Sequence, residues 1–287
     1  MILSDCQDST EIMVPWTEIT RPHYERRCPR YASDLTDEEW ALVQPMMPAL
    51  NRIGRPRKTD LREIVNALLY MASSGGAWRL LPKDFPPFST VQKYFYRWRE
   101  DGLLRTISNT LVMAAREREG REASPTAGVI DSQSGKTTES GGIRGFDAGK
   151  KVKGRKRHIV VDTLGLLVGL VVHAADVQDR DGAPDVLKTI LKRWPWLRHV
   201  FADGGYAGPK LKGAMQKVGK FTLAIIKRTD AIKGFEVLPR RWVVERTFAW
   251  LGRCRRLAKD FERTIASAEA WVYIAHIRLL TRRLARP

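Results

Sequence analysis

The sequence predicts an α/β protein: a mixed β-sheet flanked by helices and preceded by a small helical domain of helix-turn-helix type. Three observations predict it. Before residue 120 the apolar residues recur at helical spacing behind capping residues, and after residue 126 apolar runs of strand length alternate with helical segments. Between them lies the charged, turn-prone stretch Glu119-Gly120-Arg121-Glu122-Ala123-Ser124-Pro125. The expected division is a disordered extension over 1–30, a helical DNA-binding domain over 31–120, and a sheet domain with a C-terminal helix over 126–287.

Met1 to Pro15 carries Asp5, Asp8 and Glu11 where a signal peptide has basic and then apolar residues, so it reads as no signal; Met13 offers a second start. Thr36 and Glu39 form a capping box for a first helix burying Leu42, Val43 and Met46. Asp60 opens a second, with Ile64, Ala67, Leu68 and Met71 inward and Gly75-Gly76 at its end. After a turn-rich connection through Pro82 and Pro86-Pro87, Ser89-Thr90 caps a third helix with Val91, Tyr94, Phe95 and Trp98 inward. This leaves Gln92, Lys93, Tyr96, Arg97 and Arg99 facing outward, side chains suited to base edges and phosphates, or to the solvated face of a core helix. Leu103 to Arg118 is a fourth helix.

Beyond the boundary, Ala127 to Asp131 reads as a strand, and Arg157 to Asp162 with Leu166 to Ala174 as a hairpin. Ala183 to Arg193 reads as a helix, His199 to Asp203 as a strand and Leu211 to Val218 as a helix. Phe221 to Lys227 is a last strand, Arg240 to Arg256 a long helix, and Ser267 to Leu284 a C-terminal helix that covers the sheet or meets another subunit. This is the element order of a ribonuclease H-like domain, in which the strands ending at Asp131 and Asp203 lie side by side.

Net charge is +18 with a pI near 10.1. Met1 to Leu50 holds four Arg against nine Asp or Glu, so the rest of the chain carries +23. Such an excess favours nucleic acid, and no apolar run approaches the roughly 18 residues of a membrane span. Cys6, Cys28 and Cys254 form no metal-binding pair, and the five histidines show no zinc spacing. The strongest basic cluster is Gly145 to His158, read as a loop whose Lys150, Lys151, Lys153, Arg155, Lys156 and Arg157 would track a phosphate backbone. Arg241, Arg253, Arg255 and Arg256 extend a second basic face. Trp194, Trp196, Trp242, Trp250 and Trp271 are expected in the core.

Three carboxylates stand in separate elements: Asp131 and Asp203 at strand ends, Glu245 on a helix beside the apolar stripe Val244, Phe248 and Leu251. Acidic oxygens converging from separate elements suit a hard cation such as magnesium, which binds phosphate esters. Singly, each has a structural explanation: a strand-end turn, a loop opening, an ion pair with Arg241. Asp162, Asp176, Asp179, Asp181 and Asp185 read as turn or helix-capping groups.

Four blocks, Val129-Ile130-Asp131-Ser132-Gln133-Ser134, Gly149 to His158, Ala202-Asp203-Gly204-Gly205-Tyr206 and Arg241-Trp242-Val243-Val244-Glu245-Arg246-Thr247, resemble the DDE transposases of bacterial insertion sequences, in the insertion sequence five family. The likeness runs from about Tyr31 to Leu284. It implies catalytic and metal-binding roles for Asp131, Asp203 and Glu245, with two Mg2+ or Mn2+ ions. It also implies double-stranded DNA as partner (element ends and target), a homodimer in the DNA complex, and a cytoplasmic, nucleoid-associated bacterial setting. Leu238 and Gly252 stand where that family often has Tyr and Lys, with Arg253 the next cation. Alternative functions are a metal-dependent nuclease without strand transfer, or a DNA-binding repressor or inactive copy.

Overall fold

A computed structural model of the protein describes residues 30–49, 57–219, 221–226 and 239–286. The expected extension over 1–30 lies outside the described residues save for Arg30, as does the side chain of Arg241.

The helical region contains α1 (Asp37–Val43), α2 (Leu61–Ser74), α3 (Phe88–Glu100) and α4 (Leu103–Arg118). Thr36 and Glu39 make the reciprocal capping box on α1, and Asp60 accepts from the Arg62 amide at 2.8 Å at the start of α2. α2 stops at Gly75, whose φ of 73° is left-handed and favours glycine. α3 begins at Phe88 behind Pro87 rather than behind the expected Ser89-Thr90 cap, and has no side-chain cap.

The sheet is built from β1 (Ala127–Lys136), β2 (Gly145–Asp147), β3 (Val152–Asp162), β4 (Leu167–Ala174), β5 (His199–Ala202) and β6 (Thr222–Ile225). Its order is β2-β3-β1-β5-β6, with β4 sharing the outer edge of β3. β1 pairs antiparallel with β3 and parallel with β5. Helices α5 (Asp179–Leu191), α6 (Pro209–Val218), α7 (Pro239–Gly252) and α8 (Ile265–Leu284) complete the fold, a mixed sheet flanked by helices with the ribonuclease H-like order that the sequence predicts.

Two segments depart from expectation. β1 runs five residues past Asp131, and β3 begins at Val152, inside the segment read as a basic loop. Pairing explains both: Ser132 through Lys136 lie opposite His158 through Gly154, so small polar residues that suggest a turn are held by a long antiparallel ladder. The strands cross so closely at Gly154 that a Cβ would sit 2.0 Å from the Gly135 carbonyl oxygen.

α8 is more than a cover for the sheet. It packs on α1, α2, α3 and α4 as well as β4, and the buried residues of both regions form one continuous core. Trp271 of α8 stacks on Phe95 of α3 at 4.8 Å and meets Trp78 at 5.7 Å. His276 accepts from the Leu167 amide at Nε2 (3.1 Å), so its proton lies on Nδ1 and donates to Ser108 Oγ at 2.8 Å. Burial drives its pKa down to about 3, so this bond between α4, β4 and α8 is made by a neutral ring. Trp194 is buried, but Trp196 and Trp242 are 68% and 41% exposed, so not all five tryptophans are core residues. Among the described residues no helix is long and apolar enough to cross a membrane.

Candidate active site

The register of β1 and β5 aligns Ala127 with His199 and Val129 with Phe201. Continued by two residues, it sets Asp131 level with Asp203 on adjacent parallel strands. Val129, Ile130, Val200 and Ala202 are buried in the core, which fixes both strands: Asp131 lies midway along β1 and Asp203 just past the carboxyl end of β5, the end of an open α/β sheet where ligands bind. Asp203 then caps a short 3-10 turn, Gly204–Tyr206, accepting from the Gly205 amide at 2.8 Å.

Burial raises the Asp131 pKa to about 6, and the charges of Asp203 and Asp179 push the same way against the Ser132 amide and Lys150. A carboxylate so disfavoured in its ionised form is suited to a cation. The oxygens of Asp131 and Asp203 fit magnesium or manganese as hard donors. Glu245 is exposed on α7, which packs across β1, β3 and β5; among the described residues no three acids, imidazoles or thiols form a closed metal-binding cluster.

Asp179 was read from sequence as a helix-capping group, and the fold gives it more partners than that. At the first turn of α5 it accepts from Ser132 Oγ at 2.7 Å and Lys156 Nζ at 2.8 Å. Although burial opposes ionisation, the Lys156 and Ser132 hydrogen bonds hold its carboxyl below the usual range. Lys150 Nζ donates to Ser132 O at 2.8 Å and Oγ at 2.9 Å, which brings it beside Asp131. A Cβ on Gly205 would lie 3.1 Å from Asp203 Oδ1 and 3.9 Å from Asp179 Oδ2, so these acids approach each other across that glycine.

Beneath this end of the sheet runs a chain of rings. The His173 Nδ1 proton must donate to the Ala174 carbonyl (2.9 Å), so in a neutral ring Nε2 accepts from His158 Nδ1 at 3.0 Å. His158 Nε2 is then an acceptor, and the Tyr206 hydroxyl donates to it at 2.6 Å. Burial, reinforced by the neighbouring His173 and Lys156, lowers the His158 pKa to about 3, which keeps the ring neutral. Tyr206 is fully buried and belongs to the turn that Asp203 caps, so the rings tie β3 and β4 to the position of that acid. No spacing in the sequence links these residues, although His158 closes the basic block and Tyr206 the block that contains Asp203.

The expected DNA-facing cations divide. Lys93 and Arg97 are exposed on α3, Arg97 3.5 Å from Asp101; Gln92 is half-buried and donates to the Tyr96 hydroxyl at 3.1 Å. Lys151 and Lys153 are exposed, whereas Arg155, Lys156, Arg157 and Arg256 are buried. Arg155 bonds Asp260 at 3.2 Å and the carbonyls of Ile143, Glu262 and Arg263; Lys156 bonds Asp147 at 3.2 Å and Asp179. Arg157 donates to Leu257 O at 2.8 Å, while Arg256 pairs with Glu262, donates to Gly76 O at 2.6 Å and lies over the Trp271 ring. These are corrections: β3 carries the first three into the interior, where protein oxygens use their donors, so the described fold does not present Arg155, Lys156 or Arg256 to DNA. Arg253 is exposed beyond the end of α7.

Residues 122–280 match a family model described as "Transposase DDE domain", and residues 35–108 match one described as "Putative transposase of IS4/5 family". The chain is 36% identical over 83 residues to "Uncharacterized protein y4sN" of Sinorhizobium fredii, covering 29% of this chain and 64% of that one. It is 34% identical over 117 residues to "Putative transposase for insertion sequence element IS402" of Burkholderia cepacia, covering 38% of this chain and 54% of that one. The chain thus spans less than two thirds of the length of each of these relatives. No solved structure matches.

Proposed function

The chain belongs to the transposase DDE-domain family, whose model covers more than half of it, and from that premise we propose that it is the transposase of an insertion sequence of the IS4/5 type. In this reading it binds the terminal inverted repeats of its element, cleaves there and joins the freed 3′ ends to target DNA. The observation that carries the reading is the parallel register of β1 and β5 within the matched domain, which, continued two residues, brings Asp131 beside Asp203.

Asp131 and Asp203 would hold the metal, and Glu245, on the helix packed across their strands, would support a second ion. Two Mg2+ or Mn2+ ions held there would supply activation of the attacking oxygen and stabilisation of the departing one in an in-line displacement. The rest belongs to the protein. Lys150 and Ser132 brace the β1 side of the pair, Lys156 holds Asp179 away from full repulsion with Asp131, and the capped turn fixes Asp203. Water attacking phosphorus forms one P–O bond as the bond to the 3′ oxygen breaks, leaving a 3′ hydroxyl; that hydroxyl attacks a target phosphodiester in the same way. Joining two ends to one target calls for two copies of the chain on DNA.

The test is strand transfer with a labelled duplex carrying the element's own end in magnesium, comparing wild type with Asp131→Asn, Asp203→Asn and Glu245→Gln. Joined product from wild type alone, with end binding kept in all variants, is the expected result. Cut but unjoined product would support a nuclease; binding with no product in magnesium or manganese would support a repressor or inactive copy.

A further inference from the structure

Away from the acids, α7 and α8 enclose a cavity of about 630 Å³ against the β3–β4 turn. Six arginines line it, Arg246, Arg253, Arg278, Arg282, Arg283 and Arg286, together with Trp250, and among the described residues no carboxylate does. Arg246, Trp250 and Arg253 follow one another at i, i+4 and i+7 from α7 into the turn after it, so one face presents them.

Local groups meet several of these arginines, Arg282 donating to the Ala32 carbonyl at 2.7 Å, but not every donor of Arg246 and Arg278. Arg246 donates to Leu164 O at 3.0 Å and lies over the rings of Trp242 at 4.8 Å and Trp250 at 4.6 Å, yet its Nε is buried without a hydrogen-bond partner. Arg278 Nε is buried in the same way. Arg283 pairs with Glu119 at 2.7 Å, and the nearby carboxylate Asp162 is already committed to Arg116. Several cations in a partly desolvated cavity repel one another and leave planar donors that match phosphate oxygens.

The arginine row also has a direction. Arg246 follows Glu245 in sequence, and Arg253 stands eight positions beyond Glu245, just past the end of α7, about 12 Å along the axis at 1.5 Å per residue. At 3.4 Å per step in one DNA strand, this is about three to four nucleotides. A row of that length, turned about 100° round the helix from a proposed active-site residue, suits a continuous backbone better than a compact anion.

We propose that this arginine-lined cavity seats the phosphodiester backbone of the duplex whose reacting phosphate meets Asp131 and Asp203, about three to four nucleotides from it. The identity of the anion rests on the transposase reading. The site itself rests on the arginines, all but Arg253 of them outside the segments that the sequence assigned to DNA contact.

The experiment is fluorescence anisotropy with a labelled duplex in EDTA, which reads binding apart from turnover, across a salt series. Wild type is compared with Arg253→Glu, Arg278→Gln and the double variant, with Lys192→Glu at the exposed end of α5 as a charge-matched control. The double variant is expected to bind roughly tenfold or more weakly at fixed salt, with the salt slope smaller by about two, and to melt like wild type. Arg253→Glu alone should exceed the control. Variants no weaker than Lys192→Glu would overturn the proposal, and so would tripolyphosphate raising the melting temperature of wild type but not of the double variant while duplex binding stays equal. Wild type that binds through these arginines but never joins DNA would sink the transposase reading and leave this site standing.

Discussion

Two regions of the chain are dense in positive charge, and the protein uses them in opposite ways. On β3, Arg155, Lys156 and Arg157 are buried, and each ends on carboxylates or carbonyls of the protein. On α7 and α8, arginines crowd one cavity that no carboxylate lines among the described residues. The difference lies in the supply of acceptors. Asp147 of neighbouring β2, Asp179 of α5 and Asp260 meet β3, while the partners on the α7–α8 face include Glu119 and the carbonyls of Leu164 and Ala32. Clustered cations in a sequence therefore do not by themselves mark a DNA surface; what faces them in the fold decides.

The sharpest way to break this comparison is to remove one cation from each region. Arg155→Ala leaves Asp260 buried without its cation and should cost about 3–5 kcal/mol in urea unfolding. Arg253→Ala should stay within about 0.5 kcal/mol of wild type. Equal stability losses would show that the two regions do not differ as described.

The second prediction concerns the acids. A carboxyl whose pKa rises from the usual 3.8 to about 6 holds its proton more tightly in the folded than in the unfolded chain. Its unfavourable contribution is therefore absent below about pH 4 and grows as pH rises to about 6, so stability falls across that window. Asp131→Asn removes the charge. In EDTA at pH 7 to 8 it should stabilise the protein by about 1–3 kcal/mol, with no gain near pH 4. Magnesium should raise the melting temperature of wild type more than that of the variant. A pH-independent effect of the substitution would disprove the assignment.

A smaller effect is expected at the ring chain. Tyr206→Phe leaves His158 Nε2 buried without its donor, at a cost of about 1–3 kcal/mol, and loosens the turn that Asp203 caps. Mn2+ affinity read by electron paramagnetic resonance should fall with it; unchanged affinity alongside lost stability would mean that the rings support the core and not the acid.

The strands and most helices were legible because apolar residues alternate or recur at helical spacing. The meeting of Asp131 and Asp203 was legible too: each acid closes an apolar run, and sheet order puts those runs side by side. Ser132 to Lys136 was not, because small polar residues look alike in a turn and in a paired strand. Nor was Asp179, 47 residues from the Ser132 it binds, or the burial of Arg155 by an aspartate 105 residues away. The last two depend on which elements the fold packs against the sheet, and a linear pattern carries no trace of it.

The smallest expected effect sharpens the comparison within β3 itself. Lys153 is exposed opposite Phe146 of β2, two residues from buried Arg155, so adjacent cations of one face of sequence differ in burial. Lys153→Ala should change stability by less than about 0.5 kcal/mol. If Lys153 meets a backbone phosphate, the slope of log affinity against log salt should fall by about one while binding weakens alike across duplex sequences. An unchanged slope would confine the backbone contacts to other surfaces, the arginine cavity among them, and leave β3 with a structural use for its charge. A lost fold would instead mean that Lys153, like Arg155, is held by the protein, and the contrast between exposed and buried cations on this strand would fail.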